Sequence, residues 1–462
     1  MVQRVISGVV LRETDPIQTP LRKMSGSGFA SIMIAVVALA GAALIGIFFP
    51  SGNKTWQEGN RVIVEEESGA TFVWLPDAQN ERLLHPTANF TSAALLVGSR
   101  EFVNVSHVSL LGVPRGPRLG IPDAPDSLPE PELMLEGGWT LCSLPAREVD
   151  GALVPNTALV VGRDPSEGER IADEAALVRD VTRNTLHLVW HGYQFPIIDE
   201  NPVREALFLQ TAQEIEVGTA WLNALPPGRP LQPNPVAGRG DPSTAITNGT
   251  VGEIRVVEAD GRREYYQVGL TQIIEITQVQ AQILLADPEI SQAYGDRPVT
   301  ELPLTFDEAA DADRVDLGDP APTDPPATVP DKAVPTTANP TICASFGDDQ
   351  ATPEISIDAK VEGAAGANAT QQQTESGTVL ADSVVVEPGH GAIVQEQASP
   401  GAENGVRYLV TDEGRRFALT SAEVQATLGY GSIEPVRLPA SLVARIPAGS
   451  ELNPLEARRP AV

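Results

Sequence analysis

Apolar and polar positions along this chain fall mostly into short alternating runs, and one run stands apart. Between Lys23 and Lys54 there is no Asp, Glu, Lys or Arg, and Phe29 to Phe49 (FASIMIAVVALAGAALIGIFF) is almost wholly apolar. About 20 such residues cross a bilayer as a helix, because a helix satisfies every backbone N–H and C=O internally. The pattern predicts a cytoplasmic tail over 1–26 and a transmembrane helix over 27–49. The tail carries Arg4, Arg12, Arg22 and Lys23 against Glu13 and Asp15. Positive charge beside a first span stays inside, so everything after it is expected outside. The alternative is a cleaved leader, since Ala38-Leu39-Ala40 has the A-x-A form. Apolar character continues through Phe49, past the roughly 7–15 residues of a leader's apolar region, and favours an anchor that stays.

Beyond the span the pattern repeats loosely as strand, strand, polar turn, strand, helix. The first copy reads Arg61 to Val64, Ala70 to Leu75 and Arg82 to His85. Thr91 is placed to cap a helix from Ser92 to Val97, with Gly98 ending it. A more degenerate second copy runs from Leu186 to Phe208, with His191-Gly192 as its turn and Pro202 in a first helical turn. The third copy has Glu253 to Val257, an Asp260-Gly261 turn, Glu264 to Val268 and Gln272 to Ile276. Thr277 then opens a helix carrying Val279, Ile283, Leu284 and Leu285. In the fourth, Val384 to Val386, Ala392 to Val394, Arg407 to Val410 and Arg416 to Leu419 precede a helix from Thr420 or Ser421 to Leu428. The spacing is too irregular for a solenoid or propeller.

The expected fold is therefore one N-terminal transmembrane helix plus an elongated α+β ectodomain of repeated small modules around a central β-rich region. Module 1 covers 50–130, and 131–224 holds a central strand and module 2. A Pro/Gly linker follows over 225–242, then module 3 over 243–300. An acidic, Pro-rich and mobile linker over 301–342 leads to a second central strand and module 4 over 343–432. An extended arm closes the chain over 433–462.

Composition adds two constraints. The net charge is −29 over 462 residues, and the tail is positive, so the ectodomain is strongly acidic. That argues against nucleic acid as a partner and against lying flat on anionic lipid. The scarcity of Lys among abundant Ala, Val, Gly and Pro fits a high-GC bacterium. The two cysteines, Cys142 and Cys343, both lie beyond the span. In an oxidising compartment they are expected to pair, the alternative being two buried free thiols.

Little else suggests chemistry. GxxxxGK[ST], GxSxG and HExxH are all absent. His187 and His191 stand four apart on a strand and its turn, without an evident third ligand. Asp311, Asp313 and Asp316 lack the Gly and closing Glu of a calcium loop. No catalytic residue, cofactor or metal is expected.

Several segments nevertheless follow one another in a recognisable order: Asn89-Phe90-Thr91-Ser92-Ala93, Pro114-Arg115-Gly116, Gly120-Ile121-Pro122-Asp123-Ala124-Pro125-Asp126 and Trp139-Thr140-Leu141-Cys142. Ala220-Trp221-Leu222-Asn223-Ala224-Leu225, Pro388-Gly389-His390-Gly391 and Leu428-Gly429-Tyr430-Gly431 come later. From the span to the C-terminus the chain resembles EccB, a membrane component of the actinobacterial type VII (ESX) secretion machine. The resemblance implies a single-pass structural subunit with its N-terminus in the cytoplasm and its bulk outside. It would assemble with other ESX membrane components as a homo-oligomer or multi-subunit complex. The family's paired cysteines match Cys142 and Cys343. On this reading the small residues Ala35, Ala38, Gly41, Ala42 and Gly46 permit close helix packing in the membrane. The family is sometimes labelled an ATPase, so a nucleotide hydrolase is the alternative; a cell-wall tether is another, because the repeats are likened to wall-binding modules.

Overall fold

The computed structural model describes residues 5, 9, 28–41, 54–77, 79–147, 151–259, 261–363 and 369–461. The tail apart from residues 5 and 9, residues 27 and 42–49 of the expected span, and Asp260 of the expected turn lie outside the described residues. Residues 28–41 are helical. No helix among the described residues is long and apolar enough to cross a membrane. The chain divides into two compact units, residues 1–122 with 457–462 and residues 123–456.

The first unit contains module 1. Its strands are β1 (Val62–Glu65), β2 (Thr71–Pro76) and β3 (Arg82–Pro86), followed by helix α1 (Phe90–Val97) and β4 (Phe102–Val105). Antiparallel β1, β2 and β3 are joined by β4, which runs parallel to β1, giving the order β3-β2-β1-β4. Asn89, not Thr91, caps α1, its side chain accepting the Ser92 N–H at 2.9 Å. Asn ranks above Thr at this position, and such a cap contributes about 1 kcal/mol. Trp56, Ile63, Phe72, Leu84, Val105 and Leu110 form the core.

The second unit opens with β5 (Trp139–Arg147), β6 (Leu153–Val161) and β7 (Glu169–Ile171). Module 2 comprises β8 (Ala176–Asp180), β9 (Thr185–Trp190), β10 (Tyr193–Ile197), α2 (Glu200–Ala206), β11 (Ile215–Val217) and a short helix α3 (Thr219–Leu222). Module 3 comprises β12 (Ile254–Ala259), β13 (Arg262–Val268), β14 (Ile273–Ile276), α4 (Gln278–Ala286), β15 (Leu302–Pro303), α5 (Phe306–Asp311) and β16 (Arg314–Val315). Then come β17 (Ile342–Phe346), β18 (Glu354–Ile357) and β19 (Ser383–Val385). Module 4 comprises β20 (Gly391–Gln397), β21 (Arg407–Thr411), β22 (Arg416–Leu419), α6 (Ala422–Thr427), β23 (Val436–Pro439) and α7 (Ala440–Val443).

All four modules share one topology, in which three antiparallel strands and a helix are followed by a fourth strand parallel to the first. The second unit also holds a six-stranded sheet in the order β19-β6-β5-β17-β18-β7. Alternation sends Trp139, Leu141, Ile342, Ala344 and Phe346 to one face of it. There they pack with Trp221 and Leu222 of module 2 and Val394, Leu438 and Leu442 of module 4. Modules 2 and 3 meet through their helices, Val203 and Ala206 against Val279 and Ile283.

Several expectations are corrected. Module 2 begins at β8, before Leu186. Val384 belongs to the central sheet, and β20 is the first strand of module 4. The linker expected over 301–342 contributes β15, α5 and β16 to module 3. Its Pro-rich part is pinned by single bonds, Arg229 N–H to Thr323 O at 2.8 Å and Ala175 N–H to Asp331 O at 2.7 Å among them. Proline lacks an N–H and cannot extend a ladder, yet its neighbours still donate and accept one at a time. The expected C-terminal arm supplies β23 and α7, with Leu438, Leu442 and Val443 in the main core.

Candidate functional site

Cys142 on β5 and Cys343 on β17 face each other directly across antiparallel strands and are joined by a disulfide. Both are fully buried, with Ala359 packed against them. Modules 2 and 3 lie wholly between the two cysteines in the chain, so the bridge closes the base of a large insertion at the middle of the central sheet.

A second feature recurs after the fourth strand of three modules. Val113-Pro114-Arg115-Gly116-Pro117-Arg118-Leu119, Leu225-Pro226-Pro227-Gly228-Arg229-Pro230-Leu231 and Ile446-Pro447-Ala448-Gly449-Ser450-Glu451-Leu452 share the spacing apolar-Pro-x-Gly-x-x-Leu. Each runs parallel along the third strand of its module and covers that edge. The bonding is the same each time. Leu84, Gln194 and Arg416 donate their N–H to the carbonyls of Pro114, Pro226 and Pro447, at 2.9, 3.0 and 2.9 Å. Gly116, Gly228 and Gly449 donate back to those same three residues. The glycines lie flat on a ring. A Cβ would stand 2.2 Å from an atom of His85, Phe195 or Phe417 respectively. Module 3 lacks the motif and covers the same edge with β16, parallel to β14.

Charge is used to brace these sheets. In module 2 Glu214 takes bonds from Arg179 and Arg204, and Arg179 also holds Glu200 at 3.0 Å. The Arg179 bond, with that from Arg204, holds the Glu214 carboxyl below its usual range. Glu253 is fully buried in module 3. Burial alone would raise its carboxyl, but bonds from Arg297 and Arg255 outweigh that and leave it lowered. Each pair ties a fourth-strand or helix-end segment to a sheet, which is a bracing role.

The remaining candidates do not converge. His187 is buried with its Nε2 3.0 Å from Thr185 Oγ1, and burial pushes its imidazole down toward the neutral form. His191 is exposed on the hairpin turn, stacked on Trp190 at 3.8 Å. Asp311 ends α5, while Asp316 pairs with Arg314 at 3.1 Å. Among the described residues no group of three or more His, Cys, Asp or Glu could hold a metal ion. A crevice of about 120 Å³ lies among Pro145, Pro155, Glu214, Glu216 and Pro340. A broader groove of about 640 Å³ is flanked by Val406, Arg407, Leu419, Ser421 and Glu451. Ala35, Ala38 and Gly41 fall in the helix over 28–41, where a Cβ on Gly41 would meet nothing within 4 Å. Ala42 and Gly46 lie outside the described residues.

Repeated modules of one topology with a covered edge, together with a disulfide-fastened sheet, define a repeat-built scaffold. Residues 1–460 match the family described as Type VII secretion system ESX-1, transport TM domain B. The ESX-3 secretion system ATPase EccB3 of Mycolicibacterium smegmatis is 28% identical, over 98% of this chain and 87% of that protein. A chain of an intact ESX-5 inner membrane complex superposes with a TM-score of 0.62 at 22% identity, covering 100% of this chain and 93% of that one. The EccB3 dimer from the ESX-3 core complex gives 0.61 at 23% identity, over 87% of this chain and 100% of that one. The chain belongs to the EccB family of type VII (ESX) secretion systems.

Proposed function

We propose that this protein is a structural membrane subunit of an ESX secretion complex, held by one span over 27–49 with the modules outside the cytoplasmic membrane. The observation that carries the reading is the contrast between the two parts of the chain. The helix over 28–41 leaves Phe29, Ile34 and Leu39 75%, 70% and 70% exposed. Apolar side chains exposed in that way belong in hydrocarbon. The modules instead bury their apolar residues, and their cysteines are oxidised, which suits a compartment outside the cytoplasm. The basic tail supports an inside N-terminus. In this reading Ala38, Gly41, Ala42 and Gly46 form a close-packing surface for other membrane subunits.

Deleting the gene is expected to stop export of ESX substrates, and restoring the full chain to recover it. Continued export in the deletion strain would overturn the proposal. A mature protein beginning at Gly41 would overturn the anchor alone.

A further inference from the structure

In a parallel pair each strand presents only alternate residues to its neighbour. Val62 donates to Glu101 O at 2.8 Å and Glu66 to Val105 O at 3.0 Å, so β4 turns the backbone of its odd-numbered residues toward β1. The N–H and C=O of Phe102 and Asn104 therefore point away from the sheet, and no described residue pairs with them. The corresponding edges elsewhere are managed. Against β23, Arg437 N–H donates to Asp348 Oδ1 and Arg437 O accepts the Asp349 N–H. β15 is two residues long and ends in Pro303. β11 lies against β6. Among the described residues nothing covers β4 in this way, and it contains no proline. It reads Phe-Val-Asn-Val, and its Phe102 is 56% exposed and held edge-to-face by Phe90 at 6.1 Å. Proteins ordinarily blunt such an edge, because an open strand is a template for another.

We propose that β4 is the strand through which two copies of this chain pair, antiparallel about a two-fold axis at Val103. In that register Phe102 faces Asn104 of the partner copy, and the outward backbone groups of both strands bond reciprocally. A two-fold contact needs a self-complementary patch, and an edge strand paired this way is one. Charge selects a second copy and this unit. Residues 123–456 carry 20 basic and 52 acidic residues, a net −32, so two such surfaces repel. Residues 28–122 and 457–462 carry 8 basic and 7 acidic residues and meet without that penalty. The pairing deepens the assembly reading by giving the contact between copies, and it can fail while that reading stands.

The test uses the full chain in detergent. Asn104→Pro removes an outward N–H that β1 does not use, and is expected to weaken self-association at least tenfold with the unfolding midpoint unchanged. Asn104→Lys, which places two like charges near the axis, gives the same result if the proline perturbs folding. Val103→Cys puts two thiols opposite each other at a non-hydrogen-bonded position, where strands come closest. No free cysteine exists among the described residues, so a new intermolecular disulfide reports this register directly. A wild-type chain that stays monomeric, unchanged association in both Asn104 variants, or a Val103→Cys dimer whose introduced thiols remain free under oxidation would overturn the proposal. Association that requires another protein's strand would overturn it too. Co-purification with other membrane subunits, measured in the same variants, separates this result from the assembly reading.

Discussion

The backbone of Gly228 lies so close to Phe195 that a Cβ on it would stand 2.2 Å from the ring. Gly228 is not in a left-handed conformation, so glycine is required here by approach alone. Gly228→Ala should therefore lift the arm off β10 and destabilise the ectodomain by about 1–3 kcal/mol, as overpacking does elsewhere. Gly449→Ala should act alike against Phe417. Gly137, where a Cβ would meet nothing within 4 Å, is the matched control. Denaturant titration of the three variants checks this, and equal midpoints for all three would remove the glycines' special role.

The disulfide spans 201 residues. On the chain-entropy account a loop of that size contributes about 5 kcal/mol. Cys142→Ser with Cys343→Ser should lower the unfolding temperature in non-reducing buffer, and added reductant should shift the wild type while leaving the double variant unmoved.

Acid sensitivity should have two separable components. Bonds from Arg179 and Arg204 depress the Glu214 carboxyl below its ordinary 4.5, so its contribution is complete above that pH and is lost as pH falls through the lowered value. His187 is depressed below 6.5 by burial, so the unfolded chain takes up its proton first and stability begins to fall below pH 6.5. Glu214→Gln should flatten only the lower limb of a stability–pH curve, and His187→Gln only the upper limb. Chemical denaturation at a series of pH values reads both.

In the helix over 28–41, proposed above as part of a membrane span, Gly41→Leu should reduce co-purification of partner subunits while membrane insertion is retained. Carbonate extraction and affinity capture separate the two properties. Undiminished capture would reduce the helix to a tether.

What can be read from the residues depends on local signals. Thr277 and Gln280 form a capping box, visible as a Thr-x-x-Gln ahead of an apolar run. His191-Gly192 is a two-residue hairpin turn with both residues left-handed. The fourth strands of modules 2, 3 and 4 are hard to see because Ile215–Val217, Leu302–Pro303 and Val436–Pro439 are too short, or too near a proline, to show a period of two. β8 is hidden for a different reason: Ala176–Asp180 is an apolar run cut by Arg179, whose partners Glu200 and Glu214 are distant in sequence. Val384 reads as a module strand because apolar runs do not announce which sheet they join. The edge-covering arms do leave a trace, in the recurring Pro-x-Gly-x-x-Leu spacing. Composition disguises it, since the same prolines read as linker.

The bridge between Cys142 and Cys343 also governs how the protein comes apart. A protease that nicks modules 2 or 3 cuts inside a covalently closed ring, so one cut leaves a single molecule. The fragments migrate separately only after reduction. Damage to the acidic, Pro-rich strap is thereby contained: the severed ends remain tethered to the central sheet, where they can dock again.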